Sequence, residues 1–145
     1  MEKAEIERRK EESIQLHHAK YNCAQSVACV LCDLIGLDQE QVFCLTEGFG
    51  GGMGGFDQTC GAVSGGVLIL GFARCEGSQK MCSKQASYAL AHDLVERMET
   101  GCGFNSASCV DLRPADPTLV LTTCDGWIAK AVEYTIQILA ENGLI

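Results

Sequence analysis

The sequence has no hydrophobic stretch long enough to cross a membrane. Its longest apolar run covers residues 67–73 and is interrupted by Gly71, whereas a membrane-spanning helix needs roughly 20 residues. The first residues are charged, and no apolar stretch with a small-residue cleavage site follows them, as an export signal would require. We therefore expect no membrane insertion and a cytoplasmic location.

Positive charge is also scarce. Lysine and arginine number 11 against 19 aspartate and glutamate residues, which gives a formal net charge of −8. Nucleic-acid binding depends largely on basic side chains that neutralise phosphates, and the one basic cluster, residues 8–10, is flanked by glutamates. We expect no nucleic-acid partner.

Cysteine, by contrast, is abundant, with ten residues in a chain of 145. Thiols of cytoplasmic proteins stay reduced, so structural disulfides are not the expected use of these residues. Metal ligation, thiol catalysis and packing in the core remain as alternatives.

Apolar residues recur at helical spacing, and no segment alternates as a strand would, which predicts an all-α fold. We expect one compact domain over residues 1–145, a bundle of about five to six helices. The first helix, residues 2–20, has a thin apolar stripe and is expected to be peripheral. Asn22 with Gln25, and Asp38 with Gln41, are spaced as helix caps. Further helices are expected from near Asn22 to Gly36, from 60 to 74, from 78 to 99 and from 127 to 143.

Two cysteines coincide with predicted helix starts. Cys23 and Cys60 each fall in the first turn of a helix, where unpaired N–H groups and the helix dipole favour a thiolate. The thiolate is both the nucleophile and the metal ligand. These two residues are therefore the candidate catalytic residues.

A glycine-rich segment, residues 48–55, precedes Cys60 and predicts an irregular loop. Closely spaced glycine N–H groups can point at a negatively charged sulfur or at a cluster. A nucleotide site is not expected, because no Lys-Ser/Thr ending and no strand-associated G-x-G-x-x-G motif is present. The candidate cofactor-contacting glycines are Gly50, Gly51, Gly52, Gly54 and Gly61.

The string Asn22-Cys23-Ala24-Gln25, the glycine-rich segment and the string Cys60-Gly61-Ala62-Val63-Ser64-Gly65 together resemble the redox-active proteins of the C_GCAxxG_C_C family. The resemblance extends over about residues 15–140. Cys109, followed by Asp111 and Leu112, matches the third cysteine of that family, and Cys124 matches the fourth. The resemblance implies a redox role for Cys23, Cys60, Cys109 and Cys124.

The resemblance also implies a cofactor. A related domain in multihaem cytochromes of anaerobes is thought to hold an iron–sulfur cluster on such cysteines, although this chain has no Cys-x-x-Cys-His haem site. Four thiolates satisfy the ligand count of an iron–sulfur cluster and of structural zinc. We expect electron transfer through a cluster, with thiol–disulfide exchange by a low-pKa cysteine as one alternative. A zinc-binding or structural accessory module, without redox turnover, is the other alternative.

The other candidates are six cysteines, three histidines and two aromatic residues. Cys29, Cys32 and Cys44 are expected to pack in the core, since free cysteine is often buried. An accessory metal site at Cys75, Cys82 or Cys102 is left open, as is a ligand or proton-transfer role for His17 and His18. His92 is expected to be structural, and Phe104 and Trp127 are expected to be anchors in the core or in a loop. A redox partner protein is implied without being identified, and a homodimer is the assembly we expect.

Overall fold

The computed structural model describes residues 1–103 and 105–145, leaving aside the side chains of Cys82 and Cys102. The described residues form seven α-helices and no strand, so the predicted all-α fold is confirmed and the predicted helix number was slightly low. The expectations for Phe104 and for the thiols of Cys82 and Cys102 lie outside the described residues. The helices are α1 (Lys3–His18), α2 (Cys23–Cys29), α3 (Gln39–Thr46), α4 (Gly61–Arg74), α5 (Lys84–Cys102), α6 (Cys109–Leu112) and α7 (Val120–Glu141).

Helix α4 lies at the centre and packs against α2, α5 and α7. Two glycines allow this close packing. A Cβ atom at Gly65 would lie 2.6 Å from the carbonyl oxygen of Ala24 in α2, and one at Gly66 would lie 2.5 Å from the side chain of Leu94 in α5. The small residues therefore let α2 and α5 approach the central helix more closely than larger side chains would permit.

The start of α2 follows from the local sequence. The side chain of Asn22 accepts a hydrogen bond from the Gln25 N–H, and the Gln25 side chain accepts one from the Asn22 N–H, each at 2.9 Å. This reciprocal capping box confirms the prediction and fixes Cys23 as the first residue of the helix. The helix ends at Cys29, earlier than predicted, and a 3₁₀ turn (Cys32–Ile35) continues to the left-handed Gly36.

Helix α1 makes polar contacts with the segment that follows α2 and with α7. Arg9 is only 6% exposed, and its guanidinium contacts the Asp33 carboxylate at 2.7 Å and donates to the Val30 carbonyl. Lys10 pairs with Glu133 of α7 at 3.0 Å. Ion pairs thus supplement the thin apolar stripe of this helix.

Two predicted helix starts were misplaced. Helix α5 begins at Lys84, after a 3₁₀ turn (Met81–Ser83), and α7 begins at Val120 rather than near Trp127. A 3₁₀ turn that begins at Pro117 leads directly into α7, and Asp116 caps it by accepting the Thr118 N–H at 2.9 Å. The earlier start places Cys124 inside α7 instead of ahead of it.

None of the helices in the described part of the chain combines the length and the apolar character that crossing a bilayer requires.

Candidate functional site

Four helices contribute one cysteine each to a single cavity of about 150 Å³. Cys23 begins α2, Cys60 is the N-cap residue of α4, Cys109 begins α6, and Cys124 lies in the second turn of α7. The structure therefore brings together the four cysteines that the sequence singled out. Apolar side chains complete much of the wall, namely Ala62, Leu112, Val120, Trp127 and Ile128.

Cys23 and Cys60 are held together by a close helix contact. The sulfur of Cys23 lies so near the Cα of Gly61 that a Cβ atom at position 61 would overlap it. The same Cβ would lie 3.0 Å from the carbonyl oxygen of Phe49. Only glycine leaves room here, and it directly follows Cys60.

Cys60 and Cys109 are brought together by a short antiparallel pairing. The N–H of Cys60 donates to the Ala107 carbonyl at 2.7 Å, and the N–H of Cys109 donates to the Gln58 carbonyl at 2.6 Å. Thr59 and Ser108 form the bridge between these two bonds. The sequence analysis missed this pairing, because a single bridge leaves no periodic signal.

The glycine-rich segment combines two short turns with left-handed backbone, since φ is positive and non-helical at Met53 and Gly54 inside the second turn. A 3₁₀ turn (Glu47–Phe49) is followed by a π-type turn (Gly52–Phe56), with positive φ at Gly51 and Gly52. A Cβ atom at Gly52 would overlap the Cβ of Cys109. The segment is therefore packed directly behind one of the four cysteines.

The five candidate glycines differ in their relation to the cavity. Gly51 and Gly61 line it, and Gly52 supports Cys109 from behind. Gly50 packs instead against the side chain of Asn22, and a Cβ atom at position 50 would lie only 2.5 Å from that side chain. A Cβ atom at Gly54 would have no neighbour within 4 Å.

Burial raises the pKa of three of the four cavity thiols. It raises the pKa of Cys60 to about 12 and that of Cys124 to about 11, and it also raises the pKa of Cys109. Neighbouring cysteines add to each rise by electrostatic repulsion. The N–H groups of Ala62 and Val63 do lower the pKa of Cys60, but desolvation is the larger effect. The expected low pKa of Cys60 is therefore wrong in direction.

One cation stands at the cavity beside these thiols. The guanidinium of Arg113 lies 4.2 Å from the centre of the Phe56 ring, and both residues line the cavity. Its positive charge lowers the pKa of both Cys109 and Cys124. The sequence analysis missed Arg113, which follows α6 directly.

Two histidines reach the same region from α1. His17 lines the cavity, and its Nδ1 atom lies 2.8 Å from Asp125, while Nε2 of His18 lies 2.6 Å from the other oxygen of that carboxylate. Asp125 follows Cys124 in the chain. The pair thus connects the end of α1 to the helix that carries the fourth cysteine.

The other cysteines differ in their burial. Cys29 and Cys32 are buried, as predicted, but Cys44 is exposed, so its assignment to the core was wrong. In the short helix α3 the buried positions belong to Val42 and Thr46, which leaves Cys44 on another face. Cys75 is also exposed.

Trp127, expected to be an anchor, and His92, expected to be structural, can both be placed. The indole N–H of Trp127 donates to the Leu112 carbonyl at 2.9 Å, which joins α7 to α6 beside the cavity. His92 has a largely exposed side chain 3.3 Å from Glu96.

Four cysteines line one cavity, and glycines leave room behind two of them, so the donors are of the type that thiolate-bound groups use. Across residues 1–103 and 105–145, with the two cysteine side chains excepted, no three His, Cys, Asp or Glu side chains form a group that could hold a metal ion.

Comparison with known proteins gives one match. The family model described as "Putative redox-active protein (C_GCAxxG_C_C)" matches residues 21–138, a range that includes all four cavity cysteines and the glycine-rich segment. No curated protein and no solved structure matches the chain.

Proposed function

The chain belongs to the C_GCAxxG_C_C family of redox-active proteins, and we propose that it transfers electrons through an iron–sulfur cluster. The ligands would be Cys23, Cys60, Cys109 and Cys124. The observation that carries the proposal is the convergence of these four thiols, from four helices, on one cavity.

The electrostatics of the cavity support a bound cationic group. Burial and mutual repulsion keep Cys60, Cys109 and Cys124 protonated, as their raised pKa values indicate. Thiolates at these positions need a strong positive partner, and iron ligation deprotonates a thiol. When bound, an iron–sulfur cluster supplies reversible one-electron chemistry.

The surrounding residues would tune such a centre. The N–H groups of Ala62 and Val63 face the sulfur of Cys60, and Arg113 places its charge near Cys109 and Cys124. Hydrogen bonds and charges near the sulfurs are the means by which proteins set a cluster's potential. The largely apolar wall limits the access of water.

The test compares five single substitutions in the full chain, purified without oxygen. Serine at position 23, 60, 109 or 124 should remove the visible absorption that dithionite bleaches, together with most of the iron. Cys44→Ser is the matched control, because Cys44 is exposed on α3 and does not line the cavity. If each of the four single serine variants keeps the chromophore, the proposed ligand set is refuted.

A second candidate function is thiol–disulfide exchange between Cys23 and Cys60. The favouring observation is the contact of the Cys23 sulfur with Gly61, directly beside Cys60. Cys23 is half-buried and would attack the substrate disulfide, releasing one substrate thiol and forming a mixed disulfide. The buried Cys60 would then attack the Cys23 sulfur, which forms the Cys23–Cys60 disulfide and releases the second substrate thiol. The two protein thiols lose two electrons and two protons, and the substrate disulfide becomes two thiols. In this case the protein is colourless, and Cys60→Ser traps a mixed disulfide on Cys23.

A further inference from the structure

A second pair of cysteines does not line the four-cysteine cavity. Cys29 is the last residue of α2, and Cys32 is the first residue of the 3₁₀ turn that follows. The Cys32 sulfur lies 3.2 Å from the Cys29 carbonyl oxygen. Residues three apart in tight helical turns lie on the same side of the chain. Their Cα atoms are then near the range of about 4.4–6.8 Å that a disulfide bridges.

A polar cleft of about 440 Å³ includes both cysteines in its wall. The cleft lies between α1, which contributes Arg8 and Arg9, and the start of α3, which contributes Gln39. Its volume falls in the range of about 300–1,000 Å³ that is typical of small-molecule sites. Its polar groups suit a ligand that carries charges and amides.

Burial restricts what can react there. Cys29 is 5% exposed and Cys32 is 4% exposed. Because both thiols are buried in the wall of a cleft, we expect a small flexible disulfide to reach them more easily than a disulfide on a folded protein. The reaction partner that fits is therefore a low-molecular-weight, peptide-like disulfide.

We propose that Cys29 and Cys32 form a second thiol–disulfide couple, which reacts with such small disulfides. The Cys32 thiolate attacks one sulfur of the disulfide RSSR, forms a mixed disulfide and releases RS⁻, which takes up the proton that Cys32 lost. Cys29 then loses its proton and attacks the Cys32 sulfur, and the second RSH leaves. Overall the protein dithiol gives up two electrons and two protons, and RSSR becomes two RSH.

The local contacts assign the order of the two cysteines. Burial raises the pKa of Cys32, and the charge of the Asp33 carboxylate raises it further, while the N–H groups of Asp33 and Cys32 act in the opposite direction. The pKa of Cys29 is raised to about 12 by burial and by the neighbouring Cys32, with no such N–H contact to lower it. Cys32 is therefore the attacking thiol and Cys29 the resolving one.

The test uses the full chain with Cys44→Ser and Cys75→Ser as background, since both cysteines are exposed and would react on their own. The protein is equilibrated with oxidised and reduced glutathione, quenched with acid, alkylated and mapped by tandem mass spectrometry. We expect a Cys29–Cys32 disulfide that forms as the buffer becomes more oxidising. Only reduced Cys29 and Cys32 across the whole series would overturn the proposal.

Two further variants test the order of attack. Cys29→Ser should accumulate a glutathione adduct on Cys32, roughly tenfold above the adduct on Cys29 in Cys32→Ser, because only Cys32 attacks readily. The reverse ratio would overturn the assignment. Circular dichroism and thermal unfolding check that both variants are folded.

The couple is independent of the four-cysteine cavity. Adding Cys60→Ser should leave the Cys29–Cys32 disulfide unchanged, whether or not the cavity holds a cluster. Loss of the disulfide in that variant would show that the two sites are not separate.

Discussion

The sulfur of Cys23 lies against the Cα of Gly61, at a distance that excludes the side chain of any other residue at position 61. This contact joins the first residue of α2 to the first residue of α4. The absence of a side chain at position 61 therefore allows Cys23 and Cys60 to lie close together in the cavity.

Replacing Gly61 with alanine should displace the Cys23 sulfur and disturb the cavity. We expect a loss of about 1–3 kcal/mol in the free energy of unfolding, because an inserted methyl group cannot be accommodated without backbone movement. Cofactor content should fall in parallel. Urea unfolding and iron determination measure the two effects.

The matched control is Gly71→Ala in the same helix, where a Cβ atom would have no neighbour within 4 Å. This change should stabilise the protein by up to about 1 kcal/mol, since alanine is the better helix former. Equal destabilisation by both alanines would contradict the role given to the Cys23 contact.

The support of Cys109 by Gly52 can be tested by a similar comparison. Gly52 and Gly54 both have positive φ, at 56° and 82°, so alanine at either position carries backbone strain. Only Gly52 also abuts Cys109. Gly52→Ala should therefore cost at least about 1 kcal/mol more than Gly54→Ala and should lower cofactor content. If the two variants lose the same free energy of unfolding in chemical denaturation, backbone strain alone explains the loss and the contact with Cys109 contributes nothing.

Acid should weaken the attachment of α1 through Asp33. The Arg9 guanidinium holds the pKa of the Asp33 carboxyl below its usual range, so the folded state favours the charged form. Its contribution is complete at neutral pH and is lost as the pH falls through the ordinary carboxyl range towards the lowered folded pKa.

Asp33→Asn should accordingly destabilise the protein by about 1 kcal/mol at pH 7, a value that allows for the exposure of the Asp33 side chain. Urea unfolding of both proteins at several pH values measures the difference. It should shrink steadily below pH 4, and a difference that grows with acid would reverse the sign of the assignment.

Asp125 should hold the end of α1 against α7 through His17 and His18. Asp125→Ala should speed amide hydrogen exchange at the C-terminal end of α1 by about fivefold, which corresponds to the loss of about 1 kcal/mol of local hydrogen bonding. Glu133→Ala, which removes the Lys10 partner nearer the middle of α1, is the control. Equal exchange in the two variants would show that the His17 and His18 contacts add nothing specific.

Local signals in the sequence were sufficient for part of this fold. The capping box of Asn22 and Gln25, and the cap of Asp38 on the Gln41 N–H, span only four residues each. Such contacts depend on the nearby chain alone, which is why they could be predicted. The grouping of the four cysteines, by contrast, was inferred from the resemblance to a family.

The remaining features of the site depend on tertiary contacts. The bridge between Thr59 and Ser108 joins segments about 50 residues apart and has no local signature. The raised pKa of Cys60 follows from its burial, which helix-terminus arguments do not include. Position within a helix predicted the available N–H groups correctly, but packing decided the net effect.

The central claim is that Cys23, Cys60, Cys109 and Cys124 form one iron–sulfur centre. The most direct measurement is the iron and acid-labile sulfide content per chain, with a visible spectrum, for protein purified and reconstituted without oxygen. The account predicts iron and sulfide in fixed stoichiometry to the chain and a visible chromophore. Colourless protein that takes up neither iron nor sulfide would contradict it.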